Sequence, residues 1–420
     1  MTRILVLNAG SSSIKFAVFR SADGDTLTLL QQGQLAGIGS APRLLAHDGA
    51  GHGLVDRTLD IHTVPDVAAA EAVVNDWIAA HLGAAPDAVG HRVVHGGTDF
   101  WQPVRVDAAI LDRLAALGPL APLHQPFNLA PIRALLQRKP QLPQVACFDT
   151  AFHHGHAPEI DLYALPQSLI AAGVRRYGFH GLSYEYIATR LPGIAPALAH
   201  GRTVVAHLGN GASLCALQGG RSVDSTMGFS ALEGLVMGTR PGNLDPGVVL
   251  YLAQQRNLDA EQISHLLYHD CGLKGLSGLS GDMRELLASD RAAARLALAV
   301  FAHRIAQSVA AMAASMGGLD GIVFTAGIGE HAPGARAAIV QRLGLFGARL
   351  DATANARAAG VLDIAAPDSR IASRRAWRRW RRAWAASMAS CSPPASASMR
   401  PARAPRSCSA WTCSARVSMP

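Results

Sequence analysis

One pattern occurs twice in this chain and limits the folds that it can adopt: an apolar strand, a short turn of small polar residues and a second apolar strand. The first copy spans residues 3–19 and the second spans residues 203–217, where the turn is 209–211. Copies about 200 residues apart indicate a duplicated unit rather than a short solenoid repeat. We therefore predict an α/β fold of two similar lobes with a cleft between them, the first over residues 1–150 and the second over 151–370.

Helical and strand-like patterns alternate through the rest of the chain. Helices are predicted over residues 64–83, where Pro65 stands near the start and Gly83 at the end, and over 107–117 and the Ala-rich stretch 289–316. Strands are predicted over 88–97, running into a glycine loop, over 143–149 and over 321–325. Asp149 stands at the end of its strand, where the catalytic groups of α/β proteins usually lie.

Three polar, glycine-containing loops follow strands, at residues 8–15, 207–213 and 327–331. The first combines three serines with Lys15, and successive N–H groups in such a turn can form an anion nest to which hydroxyls and an ammonium add donors. No GxxxxGK[ST] motif occurs. Each loop alone is also compatible with an ordinary turn, but three of them after strands favour a nucleotide-binding cleft.

The last fifty residues, 371–420, differ from the rest of the chain in composition. They contain ten Arg, four of the six Trp and three of the six Cys, but no acidic residue, Leu or Gly. Because these arginines exceed the whole-chain net charge of +8, the remainder is slightly acidic, and no nucleic-acid partner is expected. We interpret 371–420 as the product of a frameshift or as an otherwise unselected, disordered tail; the alternative is a basic arm that contacts RNA or a membrane.

Composition also bears on the compartment. The chain is 49% apolar, its N-terminal apolar run is too short for a signal peptide, and no uncharged apolar stretch reaches about 18 residues. We expect a cytoplasmic protein with no membrane segment. Cys147, Cys215 and Cys271 are expected to be buried apolar residues, and the other three cysteines lack the spacing of a zinc site.

A series of motifs in fixed order gives this sequence a family resemblance. These motifs are residues 8–15, 90–97 (GHRVVHGG), 121–124 (APLH), 148–153 (FDTAFH), 175–181 (RRYGFHG), 207–213 (HLGNGAS), 227–229 with 232–234, 237–240 (MGTR), 280–284 (SGDMR) and 324–330 (FTAGIGE). With these motifs, the sequence resembles the acetate kinases, of the superfamily of acetate and sugar kinases, heat-shock chaperones and actin, over about residues 2–370.

The resemblance implies two ribonuclease H-like lobes, each with a mixed five-stranded sheet, and ATP bound in the cleft mostly on the second lobe. It implies a homodimer that transfers a phosphoryl group reversibly from ATP to acetate, giving acetyl phosphate and ADP, with Mg²⁺ or Mn²⁺. The departures from the family pattern lie at Ser230-Ala231, where Thr-Pro is common, at Leu182-Ser183-Tyr184, where Thr-Ser-His is common, and at the C-terminus. There, family members carry a metal-binding Glu, whereas this chain has no acidic residue after Asp368.

Arg92 is the expected ligand of the acetate carboxylate, because a guanidinium fork matches two carboxylate oxygens. His180 and Arg240 match transition-state stabilisers, since a loose phosphoryl transition state spreads charge over oxygens that fixed donors can neutralise. Asp149 matches a catalytic acid or base, but acetate is already ionised at neutral pH, so Asp149 can instead orient Arg92 or bind magnesium through water.

The remaining site predictions come from the resemblance. Val94, Leu123 and Phe179 match the pocket for the acetate methyl group, and Asn8 matches a magnesium ligand. ATP contacts are assigned to Lys15, to His207, Leu208, Gly209, Asn210 and Gly211, to Asp282, Met283 and Arg284, and to Gly327, Ile328, Gly329, Glu330 and His331. Two alternatives stay open: a kinase for propionate or butyrate, and a nucleotide-binding relative that is catalytically impaired because the C-terminal Glu is missing.

Overall fold

The computed structural model describes residues 2–21, 27–357 and 362–375, and these residues form two β-sheets with helices packed against them. The strands of the first sheet are β1 (Thr2–Ala9), β2 (Ser13–Ser21), β3 (Leu27–Ala36), β4 (Arg43–Asp48), β5 (Gly53–Thr58), β6 (Ala88–Val93), β7 (Val104–Arg105) and β8 (Gln144–Phe148). Those of the second are β9 (Arg202–Leu208), β10 (Ala212–Gln218), β11 (Arg221–Ser225), β12 (Gly321–Thr325), β13 (Leu362–Asp363) and β14 (Ala372–Arg375).

The same arrangement of five strands occurs in both sheets. In the first sheet the order β3-β2-β1-β6-β8 has antiparallel pairs up to β1 and parallel pairs after it. The order β11-β10-β9-β12-β14 repeats this arrangement in the second sheet. The duplication predicted from the two hairpins is confirmed, and each hairpin supplies the first two strands of its sheet.

The first sheet is larger than the five strands that the resemblance implies. It has eight strands in the order β5-β4-β3-β2-β1-β6-β8-β7. The antiparallel strands β4 and β5 extend one edge and the two-residue β7 extends the other. The sequence analysis did not identify β3 to β5, where the first of these strands carries polar Gln31, Gln32 and Gln34 between its apolar residues.

The helices predicted over 64–83, 107–117 and 289–316 are present with ends shifted by one to three residues, and the sequence analysis gave no bounds for the others. They are α1 (Val67–Leu82), α2 (Ala108–Ala116), α3 (Gln125–Arg138), α4 (Pro158–Asp161), α5 (Gln167–Ala171), α6 (Gly181–Ile194), α7 (Pro196–His200), α8 (Pro246–Gln255), α9 (Ala260–His265), α10 (Gly272–Ser277), α11 (Met283–Leu287), α12 (Ala292–Ser315), α13 (Ala326–His331), α14 (Pro333–Gln341) and α15 (Ala352–Ala356). At α1 the Asp66 carboxylate accepts a bond from the Ala69 N–H, and Gly83 ends the helix at φ 64°.

Helix α12 is long and apolar enough to cross a membrane by length and composition, which the sequence analysis did not anticipate. Within the part of the chain that the structure describes, it is the one helix that meets this test, and 44% of its apolar window is buried. Phe301, Ile305 and Val309 lie on its buried side, in the same apolar cluster as Val204 and Phe324 of the second sheet. Because a core helix meets the same test, this helix gives little support to a membrane segment.

The start of the tail segment belongs to the second sheet. Strand β14 pairs in parallel with β12, from Gly321 opposite Ala372 to Phe324 opposite Arg375. The boundary predicted at residue 371 is therefore too early by the length of this strand. The rest of the predicted tail, residues 376–420 with Cys391, Cys408 and Cys413, lies outside the described residues. Of the described cysteines, Cys147 and Cys215 are buried as predicted, whereas Cys271 is partly exposed.

Candidate active site

A cavity of about 310 Å³ lies between the two lobes, where the turns of both duplicated hairpins meet. Its walls come from the first hairpin, the ends of β6 and β8, the start of α6, the β9–β10 turn and the start of α13. The lining residues are Asn8, Lys15, Arg92, Asp149, His180, Leu182, Ser183, His207, Gly209, Asn210, Gly211, Ala326 and Gly327. The lining thus includes nine of the 18 residues predicted to be catalytic, nucleotide-binding or metal-binding, together with Arg92.

Arg92 and Asp149 form an ion pair on the floor of this cavity. Arg92 Nε lies 2.9 Å from both carboxylate oxygens of Asp149, and Nη2 donates to Oδ2. Asp149 is nearly buried, with 3% of its side chain exposed against 26% for Arg92. Burial lowers the pKa of Arg92, but the charge and hydrogen bonds of Asp149 outweigh this and raise it. Arg92 therefore stays charged.

The other edge of the Arg92 guanidinium faces Asn8. Arg92 Nη1 lies 3.4 Å from Asn8 Oδ1, a long contact across the cavity floor. A guanidinium has five N–H donors, and the pairing with Asp149 engages the Nε and Nη2 side. A substrate carboxylate would thus approach the Nη1 side rather than the whole fork.

Two stacked imidazoles form the wall opposite the floor. The rings of His180 and His207 lie 4.1 Å apart and are inclined by 6°. Each ring is fixed by a serine: His180 Nδ1 lies 2.8 Å from Ser213 Oγ, and His207 Nδ1 lies 3.0 Å from Ser183 Oγ. Tyr184 also bonds Ser213, at 2.5 Å. These serines orient both histidines and were not singled out by the sequence analysis, although Ser183 and Ser213 lie within quoted motifs.

The backbone around His180 is strained and closely packed. His180 adopts the left-handed conformation, φ 59°, which costs a non-glycine residue roughly 1–2 kcal/mol. A Cβ on Gly178 would lie 2.5 Å from the His153 ring, and a Cβ on Gly181 would lie 2.2 Å from the Asp149 carbonyl oxygen. Glycines at these two positions let the loop pack against the His153 ring and the Asp149 carbonyl.

Arg240 reaches the same cleft from the second lobe. Its Nη1 donates to the Ala231 carbonyl at 2.9 Å. A Cβ built on Gly211 would lie 3.4 Å from Arg240 Nη2 and 3.7 Å from His180 Nε2. Both side chains therefore approach the same region of the cleft, beside Gly211. Burial lowers the pKa of Arg240.

His124 lies close to both arginines of the site. Burial, followed by the charges of Arg240 and Arg92, lowers the pKa of His124 to about 4, so its ring is neutral at physiological pH. The sequence analysis quoted the motif 121–124 without giving this histidine a role. The motif contained His124, but a single histidine in a loop does not by itself indicate a role.

The predicted nucleotide loops adjoin one another at the second-lobe side of the cavity. The Gly238 N–H donates to the Asn210 carbonyl at 2.9 Å, and a Cβ on Gly281 would lie 2.7 Å from the Gly238 carbonyl oxygen. Segment 282–284 therefore lies beside the β9–β10 turn. Asp282 caps α11 and pairs with Arg284, a bond that lowers the pKa of Asp282 to about 2.

Some predicted ATP residues do not turn their side chains to the cleft. Leu208 is fully buried and Met283 belongs to the core of the second lobe. The Glu330 carboxylate turns back onto its own helix and accepts a bond from the Ala326 N–H at 3.0 Å. A ligand could meet these three only through backbone groups, whereas Gly327 lines the cavity directly.

The predicted acyl pocket is assembled in part. Val94 and Phe179 are buried in one apolar cluster, and Ala231 packs against it. Leu123, the third predicted member, is 37% exposed. Asn128 fixes Val94 by accepting a bond from its N–H at 2.8 Å, and donates to the Ala9 carbonyl at 2.6 Å. This asparagine links the acyl wall to the first hairpin turn.

The cavity does not contain a protein-built metal centre among the described residues, where no group of three His, Cys, Asp or Glu could hold an ion. The nearest oxygen donors, Asn8 Oδ1 and the Asp149 carboxylate, both face Arg92. Such a donor set fits a cation that arrives with nucleotide phosphates, which is how Mg²⁺ is usually bound in kinases.

Solved structures with the same two lobes place this protein among the two-lobed kinases of the actin-like fold. An acetate kinase from Porphyromonas gingivalis matches with a TM-score of 0.82 at 33% identity, over 93% of this chain and 99% of that one. A propionate kinase from Francisella tularensis matches with a TM-score of 0.84 at 34% identity, over 92% and 99%. The fold class predicted from the sequence is confirmed.

The chain belongs to the acetokinase family, whose model matches residues 3–374. An acetate kinase from Nitrobacter hamburgensis is 55% identical over 372 residues, which are 88% of this chain and 91% of the relative. An acetate kinase from Rhizobium meliloti is 54% identical over 372 residues, covering 89% and 94%. The predicted family and the prediction of an ATP-dependent kinase are confirmed.

Proposed function

We propose that this chain transfers a phosphoryl group reversibly between ATP and acetate, forming acetyl phosphate and ADP in the cleft between the lobes. The observation that carries the proposal is that Arg92 and His180 line one cavity with residues of the nucleotide loops, and that Arg240 lies beside Gly211 of the same lining. The acetate kinase relatives at 45–55% identity support acetate as the acceptor.

Acetate binds to the Nη1 edge of the Arg92 guanidinium, which faces the cavity. The Asp149 carboxylate engages the Nε side of the guanidinium and fixes its plane, so Asp149 acts by orienting Arg92. The acetate methyl group lies against Val94 and Phe179, with Leu123 at the pocket mouth. The carboxylate is already ionised and needs no base before it attacks the γ-phosphorus.

The transferring phosphoryl group lies between His180 and Arg240. The Ser213 bond fixes the His180 ring, and the Ala231 bond fixes the Arg240 guanidinium, so both donors are oriented before the reaction. Fixed donors stabilise the charge on the equatorial oxygens without reorganising, which is the main source of catalysis in phosphoryl transfer. Lys15 and the backbone of 209–211 and 327–331 bind the ATP phosphates.

Asn8 would hold Mg²⁺ or Mn²⁺ together with the nucleotide phosphates, and the bound cation would supply positive charge to the phosphate oxygens. Asn8 stands at the end of β1, where its oxygen faces the cavity and the Arg92 guanidinium. The compartment is the cytoplasm, where ATP and acetate are both present.

The active form is a homodimer that contacts through the second lobe. Leu250 and Tyr251 of α8 are 57% and 52% exposed, and Leu244 and Val248 beside them are each 40% exposed. A run of exposed apolar side chains of this size is typical of a subunit interface. Analytical ultracentrifugation should give a dimer for the native chain and a monomer for Leu250→Asp; a monomeric native chain contradicts this assignment.

Formation of acetyl phosphate, trapped as the hydroxamate, tests the function directly. The assay compares the 420-residue chain with a chimera in which 376–420 is replaced by the C-terminal segment of the Nitrobacter hamburgensis relative. ATP- and acetate-dependent product from the chimera supports the proposal. A folded chimera that binds ATP but forms no acyl phosphate from acetate, propionate or butyrate contradicts it and favours the nucleotide-binding alternative.

A further inference from the structure

A chain of hydrogen bonds runs behind the catalytic wall, through residues that the reaction itself does not use. Five groups form it: the Phe179 carbonyl oxygen, His153, Ser222, His156 and the Asp161 carboxylate. The successive distances are 3.0 Å, 2.9 Å, 2.8 Å and 3.0 Å. We call these groups the buried histidine chain, because 3% of the His156 side chain and 8% of Asp161 are exposed and His153 is buried.

The two end groups of the buried histidine chain can only accept hydrogen bonds. A backbone carbonyl has no proton to give, and Asp161 is ionised: burial would raise its pKa, but the bonds and charges of His156 and Arg175 lower it. Four hydrogen bonds between two acceptors require four protons. A neutral His153, a serine and a neutral His156 supply one each, so the chain lacks one proton unless one histidine is an imidazolium.

The surroundings show which histidine carries the extra proton. Burial, followed by the charge of His156, lowers the pKa of His153 to about 3, so His153 is neutral. His156 instead faces the carboxylate of Asp161, which Arg175 also contacts at 2.5 Å. His153 Nε2–H then donates to the Phe179 carbonyl, Ser222 donates to His153 Nδ1, and the His156 imidazolium donates to Ser222 and to Asp161.

Loss of the extra proton breaks the bond nearest the active site. A neutral His156 keeps its proton on Nδ1, toward the carboxylate, and its Nε2 then needs a proton from Ser222. Ser222 can no longer donate to His153, whose proton moves to Nδ1. The lone pair of His153 Nε2 then faces the Phe179 carbonyl oxygen, and a repulsive contact replaces a hydrogen bond.

That carbonyl belongs to the peptide that precedes His180. The bond from His153 therefore fixes the plane of this peptide, and with it the φ of 59° at His180. The His153 ring also packs so closely on Gly178 that a Cβ there would lie 2.5 Å away. A strained residue keeps its conformation only while its surroundings hold it.

We propose that the buried histidine chain holds one proton beyond its neutral form, on His156, and that this proton positions His180 for phosphoryl transfer. His156, Ser222 and His153 are positioning residues, because they act through the Phe179–His180 peptide. Placement of His180 depends on the bond from His153 to the Phe179 carbonyl, which exists only while the chain holds this proton.

Other titratable groups near the chain do not supply the missing proton. The Cys215 thiol lies 3.2 Å from Ser222 Oγ, and burial raises its pKa to about 12. The Tyr184 ring faces His153 from α6, but its hydroxyl bonds Ser213. Arg176 is engaged by Glu233, and Asp224, which also faces Cys215, bonds Ser315.

The first test measures the proton itself and does not depend on kinase activity. The full-length chain is labelled with ¹⁵N-histidine, and the two ring signals that His156→Gln removes are assigned to His156. At neutral pH both nitrogens should show the shifts of an imidazolium. In Asp161→Asn, which removes the negative charge, the same ring should be neutral. A neutral His156 ring in the native chain overturns the proposal.

The second test measures the effect on catalysis and rests on the proposed function. In Asp161→Asn, which removes the charge that holds the proton, kcat of the chimera with the relative's C-terminus should fall by about fivefold to tenfold, with KM for ATP little changed. His156→Gln should keep kcat near that of the unmutated chimera, because a glutamine amide donates to Ser222 without an extra proton. Ser222→Ala should lower kcat at neutral pH, and Ser222→Thr should restore it.

His154→Gln is the matched control. It changes the neighbouring histidine, which is exposed and stacks on Trp101 outside the buried histidine chain. Its kcat should equal that of the unmutated chimera. A kcat unchanged in Asp161→Asn overturns the link to His180. An inactive chimera that still shows the imidazolium overturns the proposed function and leaves the extra proton supported.

Discussion

The guanidinium of Arg92 serves two partners from two edges. Its Nε side pairs with Asp149, and its Nη1 side faces Asn8 and the cavity. A lysine could not divide its donors in this way, since an ammonium is a point charge without a planar fork. The pairing also explains how a nearly buried carboxylate is tolerated in the floor of a site that binds an anion.

Arg92→Ala should raise KM for acetate by about 10- to 100-fold, the range expected for hydrogen bonds to a charged group, and leave KM for ATP nearly unchanged. It also leaves Asp149 without its cation, which destabilises the fold by about 3–5 kcal/mol. Steady-state kinetics and denaturant unfolding measure the two effects. Equal weakening for acetate and ATP would contradict the assignment.

A double-mutant cycle separates the two roles of Asp149. If Asp149 acts only through Arg92, then Arg92→Ala combined with Asp149→Asn should be no slower in kcat/KM for acetate than Arg92→Ala alone, and it should be more stable. If Asp149 takes a proton in the reaction, the losses in kcat/KM of the two single variants should multiply in the double variant. Both variants are measured in the chimeric chain, so that its C-terminus does not limit the rate.

Ala231 stands where a proline is common in the family, and it packs against the cluster that contains Val94 and Phe179. Ala231→Pro should lower the propionate-to-acetate ratio of kcat/KM, by up to about 10-fold, because a pyrrolidine ring fills the space for one more methylene. The Ala231 carbonyl, which accepts the Arg240 bond, is kept in the variant. Ser230→Thr, which restores the neighbouring family residue, should leave the ratio unchanged; a ratio unchanged in both would refute the pocket assignment.

At the scale of elements, the start of α6 positions the residues of the site around Asp149. Its first residue, Gly181, donates to the Asp149 carbonyl at 2.8 Å and has no room for a Cβ against that oxygen. Gly181→Ala should therefore move α6 from Asp149 and lower kcat by at least about 10-fold. Gly193→Ala in the same helix meets nothing within 4 Å and should keep kcat while stabilising the fold by about 0.5–1 kcal/mol. Equal rates in the two variants would exclude this role for Gly181.

The elements also show where sequence reasoning reaches its limit. Both hairpins, the ends of α1 and the strand before Asp149 were predicted, because turn residues, caps and apolar periods are local signals. The contacts that orient the site are long-range: Arg92 to Asp149 spans 57 residues and His153 to Ser222 spans 69. No local pattern encodes them. The stacked His180–His207 pair joins two lone histidines that only the fold brings together.

At the scale of the whole molecule, duplication explains the position of the cleft. Each sheet begins with a hairpin whose turn faces the other lobe, so both turns supply walls of one cavity. Neither lobe contains a complete site: Arg92 and Asn8 come from the first, and Arg240 and the β9–β10 turn from the second. Catalysis in such a molecule depends on how the two lobes are held against each other.

The C-terminal segment is therefore predicted to limit activity. The family match ends at residue 374, ten arginines and no acid occur in 371–420, and the resemblance implies that family members carry a metal-binding Glu in this region. Without a carboxylate there, a cation on the ATP phosphates is positioned by Asn8 alone, and misplacement of a reacting group costs rate steeply. We expect the 420-residue chain to turn over at least about 100-fold more slowly than the chimera with the relative's C-terminus, and to be less soluble.

Two further measurements distinguish the loss of the family's C-terminal carboxylate from inhibition by the basic residues 376–420. Deletion of 376–420 should remain as slow as the native chain, because deletion restores no carboxylate, whereas recovery on deletion would mean that the basic segment itself inhibits. The coding DNA should, in one of the two other reading frames near codon 371, encode an acidic segment followed by a helical stretch. If neither frame does so, the frameshift interpretation fails. If the 420-residue chain also matches the chimera in kcat, the C-terminal carboxylate is dispensable in this protein and the cation is positioned by the cleft described above.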